Sequence, residues 1–260
     1  MKRILLIPAL LATTAFAAPA HAQSVAALVG DTTIAVVDAQ ALAIDRVVEV
    51  SGLSGTILGI DVRPADGMLY GVVSDGSVVT IDLMSGEAMQ KSMLATMLEA
   101  GVTPTVDFNP AADRLRIMGS DGTSLRVNVD TGEVTTDGSH EFAADDDNAE
   151  AMPNVVAGAY TNSVAGTSST QLFNIDASSG SLLLQDPPND GVLNTIGSFE
   201  IEADTYAFDI FSSAEGENAA YLMADDTLYT IDLASGAVTE VGIIAGADMP
   251  VRDIAVLPAM

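Results

Sequence analysis

The chain of 260 residues has no cysteine and no tryptophan. Without thiols there is neither a disulfide framework nor a thiolate nucleophile. Histidine is nearly absent too: of the two present, His21 lies near the start and only His140 stands in the body of the chain. A transition-metal centre of His and Cys ligands is therefore excluded. A Ser-His-Asp site would have to use His140, which sits in a polar loop with no Gly-x-Ser-x-Gly partner. No glycine-rich loop of the phosphate-cradling kind occurs. Positive charge is scarce, with nine Lys and Arg against 36 Asp and Glu, a net charge of −27. Nucleic acid and anionic membrane would both repel such a chain. Oxygen donors are what it has in abundance.

The first residues read as an export leader. Lys2 and Arg3 precede an apolar run from Ile4 to about Ala17, and Ala20-His21-Ala22 supplies a small-x-small cleavage site. Cleavage after Ala22 leaves Gln23 first, and loss of Lys2 and Arg3 deepens the negative charge by two. No later uncharged apolar run is long enough to span a bilayer. The expectation is one domain over residues 23–260, periplasmic or extracellular, with no membrane insertion.

The body of the chain is a repeat centred on Asp107–Gly132, where three short extended runs are separated by Pro-Ala-Ala-Asp and Ser-Asp-Gly turns. The same pattern of turn, strand and closing Asp or Asn recurs at Asp31–Asp38, Asp75–Asp82, Asp121–Asn128 and Asp225–Asp232, and a variant ends at Asp176. Upstream lies a second element: Gly59–Pro64, Val106–Pro110 and Ala207–Ile210. Four short antiparallel strands recurring every 40 to 60 residues or so give the period of a propeller blade. Each sheet is too small to bury its own faces, so neighbouring blades must supply the core. Val251–Val256 matches the first strand of a blade, whereas the chain after the leader begins with second and third strands. Together they complete one blade split between the termini. The fold class expected is all-β, a propeller of five four-stranded blades. Two stretches depart from the repeat: Ser92–Gly101, with the apolar spacing of a short helix, and an acidic insertion at 139–153 ahead of the third blade, whose inner strand is expected at Asn154–Tyr160.

Gly59–Pro64, Asp107–Gly132, Pro153–Asn162 and Asp186–Gly197, taken in order, resemble the bacterial domain-of-unknown-function family 4394, from about Ala26 to Pro258. The resemblance implies a secreted, propeller-like domain and brings no assigned activity or catalytic residue.

Candidate site residues are nearly all acids. Asp61, Asp107, Asp209 and Asp253 occupy what reads as one position in the inner strands of four blades, with Ala159 in the third. They either form a partial ring of carboxylates around the axial channel, able to hold a cation or a sugar, or serve as repeated scaffold residues bonding a neighbouring amide or Arg. Arg63, Arg114, Arg116, Arg126 and Arg252, five of the seven basic residues after the leader, lie in or beside strands and are expected to pair with acids. Asp145, Asp146 and Asp147, with Asn148 and Glu150, carry hard donors suited to Ca²⁺, as do Asp186, Asn189 and Asp190, although neither group has the spaced Asp-x-Asp-x-Asp-Gly pattern. A solvated loop is the alternative.

These features point to an exported, non-enzymatic binding or interaction domain whose partner is a small molecule, glycan or protein, with Ca²⁺ as the one cofactor suggested. The alternative is a carboxylate-dependent hydrolase acting on glycans, the one catalytic apparatus still open to such a composition. The scarcity of aromatic rings for stacking on sugars counts against it.

Overall fold

The computed structural model describes residues 23–247 and 249–258, so the export leader lies outside the described residues. All regular structure within them is β, in 21 strands. In chain order, β1 (Ser24–Leu28), β2 (Thr33–Asp38) and β3 (Ala43–Glu49) come first. The first full blade is β4 (Ile57–Val62), β5 (Leu69–Val73), β6 (Ser77–Ile81) and β7 (Ala88–Met93). The second is β8 (Pro104–Asn109), β9 (Arg114–Gly119), β10 (Ser124–Asn128) and β11 (Glu133–Thr136). A two-strand-residue element, β12 (Glu141–Phe142), precedes the third, β13 (Val155–Tyr160), β14 (Leu172–Asp176), β15 (Ser181–Gln185) and β16 (Val192–Ser198). The fourth is β17 (Tyr206–Ser212), β18 (Asn218–Ala224), β19 (Thr227–Ile231) and β20 (Val238–Ile243), and β21 (Asp253–Val256) ends the chain.

These strands make five antiparallel meanders, with β21 hydrogen-bonded to β1 as the inner strand of the split blade. The inner strands β4, β8, β13, β17 and β21 each touch the next, and β21 touches β4, so the ring closes. The fold is a five-bladed β-propeller. Joining the last strand to the first removes two free sheet edges. Gln23 adds to the closure by donating from Nε2 to the Leu257 carbonyl at 2.6 Å.

The core lies between blades. Leu28, Ile34 and Ala255 of the split blade pack on Ile57, Ile60 and Ile81 of the first. Tyr70 and Val72 meet Phe108, Ile117 and Leu125 of the second, Tyr70 and Phe108 edge to face at 5.3 Å. Phe173, Ile175 and Leu182 of the third meet Phe208, Ile210 and Leu222 of the fourth, and Val25, Val37 and Ile254 meet Ala207, Met223 and Leu228. The junction between the second and third blades differs. Its apolar part is only Met118, Tyr160 and Leu172, and beside it lies the buried guanidinium of Arg116.

Three expectations are corrected here. Leu172–Asp176 is the second strand of its blade, not the third; Ser181–Gln185 is the third and Val192–Ser198 the fourth. The residues around Ser92–Gly101 form no helix: β7 runs to Met93, and bends and a turn follow. That segment is fastened to turns of two blades, Leu94 N–H donating to Gly76 and Ala95 N–H to Gly132, while Leu94, Met97 and Leu98 cover the core between them. The acidic insertion is part of a sheet, because β12 adds to β16 in parallel as a fifth strand.

The axial channel as candidate functional site

Strand alternation sends every second side chain of an inner strand toward the following blade. Asp61, Asp107 and Asp209 use that direction to reach across the channel wall. Phe108 N–H donates to Asp61 Oδ2 at 2.6 Å, Tyr160 N–H to Asp107 Oδ1 at 3.0 Å and Val256 N–H to Asp209 Oδ2 at 2.6 Å. Each carboxylate thus bonds a backbone amide of the next inner strand. The third blade has Ala159 at this position, and its junction with the fourth is held instead by the Phe173–Phe208 cluster and by loop contacts such as Ser163 N–H to Ser212 Oγ at 2.8 Å.

Asp253 sits at a different level. Asp61 and Asp107 accept from the residues that follow Asp107 and Ala159, so Asp209, accepting from Val256, marks Ala255 as the ring position of β21. Asp253 lies two residues earlier and accepts from Ile60 N–H at 2.8 Å. It belongs beside Gly59, where any Cβ would come within 2.7 Å of its Oδ2 and 2.5 Å of Val106. One oxygen from each of Asp61, Asp107 and Asp209 lies within 4.8 Å of the others, and Asp253 is outside this group.

No guanidinium or ammonium group pairs with these four acids among the described residues; the ion pairs are elsewhere. Burial pushes the carboxyls of Asp61, Asp107 and Asp253 well above the usual range, and mutual repulsion adds to it. Burial raises Asp209 to about 6 against the opposing pull of the Val256 and Ile210 amides. Such groups accept a proton or a cation readily.

The channel opens at both ends. Where the inner strands finish, a cavity of about 320 Å³ is lined by Asp61 and Asp209 at its floor, with Val62, Ser163, Ala165, Phe211 and Pro258 among its walls. Where they begin, a wider one of about 570 Å³ is lined by Leu58, Pro104, Tyr206 and Arg252. Arg252 donates there to the carbonyls of Ile57, at 2.9 Å, and Gly30, so it braces the split blade against the first and makes no ion pair.

The other arginines are structural. Arg63 reaches Asp113 at 2.6 Å, Asp130 at 3.1 Å and Asp66 at 3.4 Å. Arg116 donates to Tyr160 Oη, Ser124 Oγ and Asn189 Oδ1, each at 2.7 Å, and pairs with Asp137 at 3.1 Å, which also holds Arg126. Arg114 donates only to nearby carbonyls. Asn189, considered above as a cation donor, is thereby committed to Arg116.

Asp145, Asp146 and Asp147 do not converge. Asp145 and Asp147 are exposed, whereas Asp146 turns inward and accepts from Thr195 N–H at 2.6 Å, Thr195 Oγ1 at 2.9 Å and Asn148 N–H at 2.8 Å. Burial opposes its ionisation, but these donors prevail and hold the carboxyl below its ordinary value. Two buried polar groups are not evident as such in the sequence: nothing there marks Thr105, and His140 lies in what reads as a polar loop. Thr105, 3% exposed, has no partner for its hydroxyl, and His140, 8% exposed, none for Nε2; burial and nearby Arg116 push that imidazole down to about 4.

Residues 33–255 match the family described as domain of unknown function (DUF4394). The chain belongs to that family. Among solved structures, this chain is similar to two Bacteroides proteins of unknown function. One, from Bacteroides thetaiotaomicron VPI-5482, is 18% identical with a TM-score of 0.53; the match covers 92% of this chain and 65% of that one. The other, from Bacteroides caccae, is 14% identical with a TM-score of 0.44, covering 84% and 71%. The former likeness concerns the fold alone, and this DUF4394 chain spans about two thirds of its length. No curated protein matches.

Proposed function

We propose that this DUF4394 propeller is an exported, non-catalytic binding domain that takes a small polar ligand at the channel mouth formed by the ends of its inner strands. The observation that carries the proposal is the cavity of about 320 Å³ whose floor is Asp61 and Asp209. Carboxylates at the base of a concave, partly apolar wall are what a ligand rich in donors or positive charge requires. The leader read from Lys2 to Ala22 supports export to the periplasm or beyond.

A hydrolase is less well served by this geometry. Each floor carboxylate already spends an oxygen on the next inner strand, and Phe211 is the one aromatic ring in the wall. The test is a screen of glycans and small polar metabolites against the chain from Gln23 onward, beside Ala165→Trp. Ala165 is an exposed wall residue, so tryptophan there fills the mouth without touching an acid. Binding that is lost in Ala165→Trp at an unchanged melting temperature supports the proposal. Binding that survives the plug sinks it, and hydrolysis of a screened glycan that disappears in Asp209→Asn replaces it with the hydrolase.

A further inference from the structure

We infer that the channel below the mouth is a binding site for one hard divalent cation of the Ca²⁺ kind, held by Asp61, Asp107 and Asp209. The inference deepens the proposed binding role, since it rests on the channel being a ligand site, and it is tested separately from it. Two ligands on opposite sides of a Ca²⁺ ion at about 2.4 Å lie about 4.8 Å apart at most. The three carboxylate oxygens, all within 4.8 Å of one another, fall inside that limit. Any two of them can share one ion as they stand, and all three can if they draw in by a few tenths of an ångström at most.

Acids gathered together do not by themselves make a site, but the surroundings point the same way. Thr105 stands two residues before Asp107 in an unbroken stretch of β8, so alternation turns its side chain to the same side of the sheet. It lies one step along the channel from the ring, at the level Asp253 holds in β21, where it would meet the ion's water and not the ion itself. It is 97% shielded and its hydroxyl oxygen has no hydrogen-bond partner. A buried polar atom left alone is costly, and a hydroxyl is a hard donor that a cation or its water would satisfy. Asp107 tells the same story: Oδ1 accepts from Tyr160 N–H, and among the described residues no donor reaches Oδ2. Three carboxylates with no basic neighbour must either keep protons or gain positive charge. The cavity above Asp61 and Asp209 supplies a way in for an ion.

The decisive variant is Asp107→Asn, because asparagine keeps an oxygen for the Tyr160 amide and removes only charge and the free donor. Titration of chelator-treated protein with CaCl₂, followed by calorimetry and melting, should give one ion per chain. Millimolar CaCl₂ should raise the melting temperature by about 5 °C or more. Asp107→Asn should bind at least about tenfold more weakly and, free of metal at neutral pH, melt higher than the parent, because a repelling charge is gone. Thr105→Val should weaken binding with little change in the metal-free melt. Asp145→Asn/Asp147→Asn should bind as the parent does.

The inference is overturned if neither CaCl₂ nor MgCl₂ gives heat or a shift in melting. It is equally overturned if Asp107→Asn binds undiminished, or if the loss appears in Asp145→Asn/Asp147→Asn. Ala165→Trp separates this inference from the broader proposal: the plug removes organic-ligand binding and leaves the cation's equilibrium affinity intact, slowing at most its entry. A cation without an organic ligand, or the reverse, therefore identifies which of the two has failed.

Discussion

Arg116 heads the wholly buried side chains by volume, and its position says what a charge needs in order to be there. Four groups receive its donors, one of them Asp137, itself shared with Arg126. Truncation would strand Asp137, Tyr160 and Asn189 in the junction between the second and third blades. Arg116→Ala should cost about 3–5 kcal/mol, the range for breaking a buried pair by removing one partner, read from chemical denaturation. Lysine cannot reproduce the fork, so Arg116→Lys should recover only part of it. The channel acids follow a different rule. A carboxyl whose folded pKa is raised keeps a proton that the unfolded chain has released, so it favours folding fully below about pH 4 and loses that advantage as pH rises through its folded pKa. For Asp209 that loss runs from about 4 to about 6, and burial moves the loss for Asp61, Asp107 and Asp253 well above the usual carboxylate range. His140, pushed down to about 4, works oppositely: its contribution is present above about 6.5 and fades as pH falls toward 4. Four acids against one imidazole should make the metal-free protein melt progressively lower as pH rises from about 4 to 6. Asp209→Asn should flatten the part of that slope near 6, measured as the difference between the two melting profiles. Among these residues, Asp61 and Asp107 were legible from their equal distance to Asp82 and Asn128, which close the strands that follow, and Asp209 from a slightly longer one to Asp232. Asp253 was matched by residue type to the wrong level, because only the Val256 amide, donating to Asp209, reveals that Ala255 holds the ring position.

At the scale of elements, the hairpins announced themselves through Asp-Gly and Ser/Thr-Gly turns, and the inner strands through β-branched and aromatic runs. What failed did so where local pattern and tertiary contact disagree. Met93, Leu94, Met97 and Leu98 have helical spacing, yet the segment must travel from the outer edge of one blade to the inner strand of the next. Backbone bonds to Gly76 and Gly132 favour an extended path. The third blade was misread because Asp176 imitates the closing Asp of a third strand; its Oδ2 in fact accepts from Asn154 N–H at the entry to the inner strand. The acidic insertion shows how a loop that looks solvated becomes structure. Only Asp146 faces Thr195, and β12 is carried with it onto β16. Asp146→Ala should therefore cost about 1–3 kcal/mol, the scale of hydrogen bonds to a charged group, whereas Asp145→Ala should be close to neutral. Equal melting of the two variants would mean that the insertion is not held through Asp146.

For the molecule as a whole, the large hydrophobic clusters each bridge two blades, and only the small group of Phe142, Val155, Leu183 and Leu193 lies within one blade's sheet. The five-blade count and the split blade followed from the sequence because the last strand and the first are each incomplete without the other. Deleting Arg252–Met260 removes β21, the Arg252 brace and the acceptor of the Ile60 amide at once. The truncated chain should lose its cooperative thermal transition altogether, not merely melt a few degrees lower. A sharp transition at the parental temperature would show that the other four blades stand without closure.

The carboxylate bonds along the channel all run one way, each acid serving the strand that follows it round the ring. A break in such a chain is felt downstream and not upstream. Replacing Asp107 with alanine should leave the Phe108 amide, which answers to Asp61, as protected from hydrogen exchange as before, while the Tyr160 amide is released. The propeller thus resembles a circle of people each holding the shoulder of the one in front. At the third place, where Ala159 stands, nobody has a hand raised.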